Sequence, residues 1–228
     1  MKKIITTAAL FTFGLSIAQE KSETEEYGFV KGNLFLGGEL TVSNLKETKV
    51  DEGVENNETK INSFFVNPKV GYFFTDRLAA GIGLTYLSNK ITMTELINDE
   101  TQSKTDKGNG FGAQIFARYY FLKLGKRFHT YAELNAGFGS MKNESTRQEV
   151  TQKGTIKNTD AAFDIGMNYF LTPKLAVSFT MANVLKYNIL NIEIDGVDSS
   201  AKSSGFSANL NVFKNIFEAP TFGLLYRF

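Results

Sequence analysis

Apolar and polar residues alternate with a period of two along most of this chain, and no helical spacing gathers its large side chains. Leu34, Leu36, Leu40 and Val42 share one face of a first predicted strand, opposite Phe35, Glu39 and Thr41. Phe64, Val66, Val70, Tyr72 and Phe74 form the next row, against Asn67, Lys69 and Gly71. Leu78, Ala80, Ile82, Leu84 and Tyr86 follow, then Phe111, Ala113, Ile115, Ala117, Tyr119 and Phe121, the latter backed by Gln114, Phe116 and Arg118. Ala132, Leu134, Ala136 and Phe138 oppose Tyr131, Glu133 and Asn135, and Phe163, Ile165, Met167 and Tyr169 oppose Asp164, Gly166 and Asn168. Leu175, Val177, Phe179 and Met181 make the seventh row, and Phe222, Leu224, Tyr226 and Phe228 make the last.

None of these eight rows carries a charge, whereas Glu39, Lys69, Arg118, Glu133 and Asp164 all fall on the opposite faces. A soluble sandwich or lipocalin-like barrel buries its apolar face and charges its outer one. Here the polar, glycine-rich face has to be the inside. The apolar rows then meet lipid, where an Arg or Lys costs roughly 2–4 kcal/mol at the midplane. Connections alternate between short turns around Asp76, Gly125 and Pro173 and long polar stretches at about 46–62, 92–109, 143–159 and 188–204. The predicted fold is therefore all-β, an eight-stranded antiparallel up-and-down transmembrane β-barrel with long loops at one end.

Residues 206–212 keep the parity of the closing row, but a single strand from Phe206 to Phe228 would run about 75 Å at ~3.3 Å per residue. A bulge or loop is expected at Glu218-Ala219-Pro220, because proline has no N–H for the ladder. Aromatic endings recur at Tyr72-Phe73-Phe74, Tyr119-Tyr120-Phe121, Tyr169-Phe170-Leu171 and Tyr226-Arg227-Phe228, at intervals of 47, 50 and 57 residues. They read as one girdle at the membrane edge where the short turns and both termini lie.

The N-terminus carries a basic Met1-Lys2-Lys3, an apolar stretch from Ile4 to Leu15 and a small-x-small site at Ser16-Ile17-Ala18. This is the pattern of an export signal. The expected organisation is a signal peptide at 1–18, a polar leader at 19–26 and a barrel domain at 27–228. Cysteine is absent, so stability has to come from packing and backbone pairing. Charge is nearly balanced, with 25 basic and 24 acidic residues, which argues against a nucleic-acid partner.

The segment GYFFTDRLAAGIGL at Gly71–Leu84 and the closing FGLLYRF resemble the small OmpA/OmpX-like outer-membrane β-barrel family, also described as porin-family or outer membrane protein beta-barrel domain proteins. That resemblance implies the outer membrane of a Gram-negative-type bacterium, with outer-membrane lipids and lipopolysaccharide as surroundings. It also implies that Phe222, Tyr226 and Phe228 form the signal read by the barrel-assembly machinery.

The candidate chemistry lies inside. Hairpin geometry sets Glu39 near Lys69 and Arg118 near Glu133, with Asp164 near Asn135, giving an interior charge network in a lumen that eight strands leave narrow. No enzyme is expected: His129 is the one histidine, and without cysteine neither a nucleophile–base pair nor a zinc site can be assembled. His129 is expected as an interfacial girdle residue, and no cofactor or metal is expected. Asp51, Glu52, Glu55 and Glu58 lack the fixed spacing of a cation loop. Gly108-Asn109-Gly110-Phe111-Gly112 reads as a loop leading into a strand. The functional expectation is a barrel without an open pore, acting structurally or by binding an extracellular ligand at its long loops. A narrow channel and a loop-mediated adhesin are the alternatives.

Overall fold

A computed structural model of the chain describes residues 27–51, 54–97, 100–197, 200–208 and 221–228. The expected signal peptide, the polar leader and the bulge at residues 218–220 lie outside the described residues. Every described element is a strand: β1 (Leu34–Asp51), β2 (Val54–Phe73), β3 (Leu78–Ile97), β4 (Glu100–Leu124), β5 (Phe128–Arg147), β6 (Val150–Phe170), β7 (Leu175–Ile194), β8 (Ser200–Ala208) and β9 (Thr221–Arg227). All pairings are antiparallel, and β1 to β7 pair in sequence. The eighth position of the ring is built from two pieces. β8 pairs with the far half of β7, from Leu185 to Glu193, while β9 pairs with its near half and with β1, which closes the barrel.

The rows sort as their charges require. Leu134 is 62 % exposed on the outer wall, while its neighbour Glu133 is 1 % exposed in the lumen. Tyr72 and Phe74, and likewise Tyr226 and Phe228, stack edge to face at the end where the short turns lie. Thr75 and Thr172 shape two of those turns, each hydroxyl accepting the backbone N–H of the first residue of the next strand at 2.9 and 3.0 Å. A second aromatic ring, with Phe64, Tyr86, Phe111, Phe138, Tyr187 and Phe206, circles the outer wall further along. Phe64 and Phe74, like Phe111 and Phe121, are ten residues apart. That is about 33 Å along a strand, or about 25 Å of height at a tilt of ~40°, the thickness of an apolar band between two girdles.

The strands do not stop at the second ring. The four stretches expected as long loops are hairpin extensions, paired as far as Asp51–Val54, Ile97–Glu100, Arg147–Val150 and Glu193–Ser200. Gly108 to Gly112 accordingly lies inside β4 and is no loop. With 18 to 25 residues, β1–β7 are about twice the length that a bilayer needs. Beyond the ring the wall inverts its character. Ser88, Lys90 and Thr92 now face outward on β3, while Leu87 on β3, Met141 on β5, Ile156 on β6 and Leu190 on β7 line the inside. Water replaces lipid outside, so the polar residues move to the outer face and the apolar ones retreat inward without any change of parity.

At the short-turn end, Gly28 and Phe29 of the segment 27–33 are buried in the lumen, while Val30, Lys31 and Gly32 stay exposed. Phe29 stacks on Phe73 at 4.3 Å and meets Tyr120 and Phe170 at 4.9 and 5.2 Å. The segment is pinned by Arg227, which donates to the Gly28 carbonyl at 2.7 Å, and by the Gly32 N–H to the Phe73 carbonyl at 2.8 Å. Gly28 has φ +109° and lies so close to the His129 ring that an added Cβ would sit 2.3 Å from it, so no other residue fits there. His129 is thus a luminal residue, 1 % exposed, and not the girdle residue that its place beside a turn suggested. One residue, Thr130, separates it from Tyr131, and strand parity turns both inward.

Candidate functional site

Above the aromatic plug sits a layer of charge. Arg118 on β4 and Glu133 on β5 are in register, and the Arg118 Nη2 approaches Glu133 Oε2 at 2.6 Å while Nε donates to the same oxygen at 2.7 Å. From across the lumen, the Lys69 ammonium donates to Glu133 Oε1 at 3.0 Å and stands 4.0 Å from Glu39. One carboxylate therefore serves two cations, and its side chain has no solvent exposure. Such a group is tolerable only when both oxygens are engaged, as they are here.

Aromatic faces complete the cage. The Arg118 guanidinium lies 4.0 Å from the centre of the Tyr131 ring and 5.5 and 5.7 Å from those of Phe35 and Phe116. Its Nη1 donates to the Tyr120 hydroxyl at 3.3 Å, which also accepts from Asn168 at 2.7 Å. Room for these rings comes from glycine: a Cβ on Gly71 would meet the Phe35 ring at 2.3 Å. A cavity of about 10 Å³ lies beside Glu39, Lys69 and Arg118, with Phe35, Ser178 and Leu225 also in its wall, and has room for about one water molecule.

Asp164 stands apart from the cations. Its Oδ2 accepts from Asn135 at 2.7 Å and its Oδ1 from the backbone N–H of Asn183 at 2.6 Å. Asn183 has φ +59° and lies in a bulge, where Phe163 faces Leu185 and Ile165 faces Met181, so that β7 carries two more residues than β6. Asp164 is the acceptor that holds this bulge closed. Met181, the end of an outer row by its parity, is buried at the same bulge. The period of the side chains gives no sign of it.

On the far side of the charge layer the lumen widens into a chamber of about 300 Å³. Its lining includes the polar Thr85, Gln114, Asn158 and Asp160 and the apolar Leu87, Met141, Ile156 and Leu190. Among the acidic residues of the first extension, Glu58 is bound by Lys46 at 2.7 Å and by Lys60. The hydrogen bond from Lys46, then that from Lys60, holds its carboxyl below the ordinary value. The side chains of Asp51, Glu52 and Glu55 lie outside the described residues. Among the described residues, no group of three or more His, Cys, Asp or Glu is placed to hold a metal ion. Phe228 points outward at the near rim beside Tyr226, and Phe222 points outward six residues deeper in the wall, against Phe179.

A closed antiparallel ring with a lipid-facing apolar band, two girdles and a charged lumen defines a small transmembrane β-barrel. The chain belongs to the outer membrane protein beta-barrel domain family, whose model matches residues 5–212. It is accordingly a protein of the outer membrane. Similar solved structures include the outer membrane protein OprG from Pseudomonas aeruginosa, at 11 % identity over 88 % of this chain and 98 % of that one, with a TM-score of 0.44. Ail, the attachment invasion locus protein of Yersinia pestis, is similar at 12 % identity over 87 % of this chain and 100 % of that one, with a TM-score of 0.38. The N-terminal β-barrel domain of Pseudomonas aeruginosa OprF is similar at 12 % identity over 87 % of this chain and 98 % of that one, with a TM-score of 0.34. No curated protein matches the chain.

Proposed function

We propose that this chain is a closed, non-enzymatic barrel that supports the outer membrane and binds through its extramembrane extension, with no open pore. The observation that carries the reading is the charge layer, where Glu133, Arg118 and Lys69 are buried beside aromatic rings and the cavity that Glu39, Lys69 and Arg118 help to line measures about 10 Å³. A hydrated ion needs a continuous path through that level, and a space for about one water does not provide it. The extension then presents a paired-strand surface, not flexible loops, together with a chamber of about 300 Å³ above the closure. In this reading the extension faces the cell exterior, and Phe222, Tyr226 and Phe228 serve the assembly machinery during insertion. His129 has no catalytic part, since Phe29, Tyr120 and Phe170 surround its ring.

Purified protein in planar bilayers tests this directly. The wild type should give no stable conductance steps, and reproducible openings would overturn the closed reading. A narrow channel is the second reading, and one observation favours it: Lys69 lies between two carboxylates, at 3.0 Å from Glu133 and 4.0 Å from Glu39. Exchange of that lysine between partners is the motion by which such a layer would open.

A further inference from the structure

We infer that the outer wall just beyond the second aromatic ring carries a binding site for the phosphate groups of membrane lipids, centred on Lys90, Lys107 and Lys142. Position is the first argument. Lys60, Lys90, Lys107, Lys142 and Lys202 each lie four residues, or two outward positions, beyond the aromatic residue of their own strand: Phe64, Tyr86, Phe111, Phe138 and Phe206. Lys46 and Lys157 keep the same interval from the outward Val42 and Ala161. All seven are exposed. The aromatic ring marks the edge of the apolar band, so these ammonium groups share the level of the lipid headgroups.

Register is the second argument. Lys90 on β3 stands directly opposite Lys107 on β4, an arrangement that destabilises a sheet when nothing neutralises it. Lys142 on β5 is opposite Asn109, two residues from Lys107 on the same face. Two other facing pairs of cations have a counter-charge in place: Glu58 binds both Lys46 and Lys60, and Lys104, opposite Arg147, binds Asp106 at 2.9 Å. Lys157 likewise binds Glu193 at 2.7 Å. Glu144 faces Lys107 in register, but its carboxylate is engaged by Lys153 at 3.3 Å. Among the described residues, Lys90, Lys107 and Lys142 make no ion pair. A chain of nearly balanced charge thus leaves three neighbouring cations uncompensated at one height on the lipid side.

The ligand chemistry follows. A phosphate monoester of a glycolipid headgroup brings close to two negative charges to that height, while its acyl chains lie along Tyr86, Phe111 and Phe138 beneath. A free phosphate has the charge without the apolar contact. The inference rests on membrane placement and not on the closed lumen, so a conducting barrel would leave it standing.

The protein in nanodiscs of neutral lipid, doped with bisphosphorylated or dephosphorylated lipid A, tests the site by counting retained lipid A in native mass spectrometry. Wild type should retain the phosphorylated form with roughly tenfold or greater preference. The triple variant K90Q/K107Q/K142Q should lose that preference. K46Q/K60Q/K157Q, with the same loss of charge, should keep most of it. Millimolar inorganic phosphate should not displace the lipid. Equal retention of both lipids by wild type, or equal loss in the two triple variants, would overturn the site in favour of diffuse charge. Displacement by inorganic phosphate would make it a free-anion site and overturn the lipid assignment. Acylation of lysines in the wild-type nanodiscs reads the same point without any variant: Lys90, Lys107 and Lys142 should be protected by phosphorylated lipid A and not by the dephosphorylated form, and uniform labelling would count against the proposal.

Discussion

Arg118 and Glu133 face each other across β4 and β5, and their charged atoms meet at 2.6 Å inside a cage of aromatic rings. Lys69 arrives at the other oxygen of the same carboxylate from the opposite wall, at 3.0 Å. The lumen is thereby tied across its width by side chains, in addition to the backbone ladder around its circumference.

Glu133→Gln should destabilise the barrel by about 3–5 kcal/mol, because it strands a buried guanidinium and a buried ammonium together. Arg118→Met combined with Glu133→Gln should cost less than Glu133→Gln alone, since Lys69 then retains Glu39 as its partner. Urea titrations of refolding in detergent micelles or lipid vesicles compare the three proteins. Wild-type stability in Glu133→Gln would show that the pair contributes nothing.

Leu134 and Asn135 are neighbours with opposite surroundings, the first on the outer wall and the second bonded to Asp164 inside. Leu134→Arg should cost roughly 2–4 kcal/mol in a lipid refolding titration. Asn135→Lys should be much milder, because the new ammonium meets the Asp164 carboxylate. A reversed order would invert the two faces of the wall.

The outer extension offers a test by pH. Lys46 and Lys60 lower the Glu58 pKa from its ordinary 4.5, so the stability that these contacts give is fully present above that value and is lost as pH falls through the lowered one. Amide exchange in the β1–β2 hairpin near Thr59 and Lys60 should therefore accelerate as pH is brought from above to below this window, after correction for intrinsic rates. Glu58→Gln should remove the pH response, and an unchanged profile in that variant would exclude Glu58 as its source.

Much of the membrane-spanning wall was legible because lipid outside and charge inside write opposite chemistries on alternate residues. The hairpin extensions were not. Beyond the second ring the alternation continues, but with Ser88, Lys90 and Thr92 outside and Leu87 inside, so a search for outward apolar rows ends too early. In the lumen, parity identifies which residues point inward but not which of them meet. Lys69 and Glu133 are 64 residues apart and on strands that do not pair, so only the diameter of the closed ring brings them together. The short segment at residues 27–33 has no periodicity to announce it, and the Asn183 bulge leaves no mark in a pattern of period two.

Phe29 separates two explanations for a closed lumen. It fills the short-turn end against Phe73, Tyr120 and Phe170, yet it lies outside the strands and its removal leaves the ladder intact. Phe29→Ala should lower stability by up to about 3–5 kcal/mol, the range for emptying an aromatic site in a packed core. The charge layer at Glu133 remains in that variant, so Phe29→Ala should stay silent in planar bilayers. If Phe29→Ala conducts while retaining the fold, the plug is the barrier and the ion pairs are only its support. If it stays silent and Glu133→Gln gives conductance steps, the barrier is the carboxylate that Lys69 and Arg118 share.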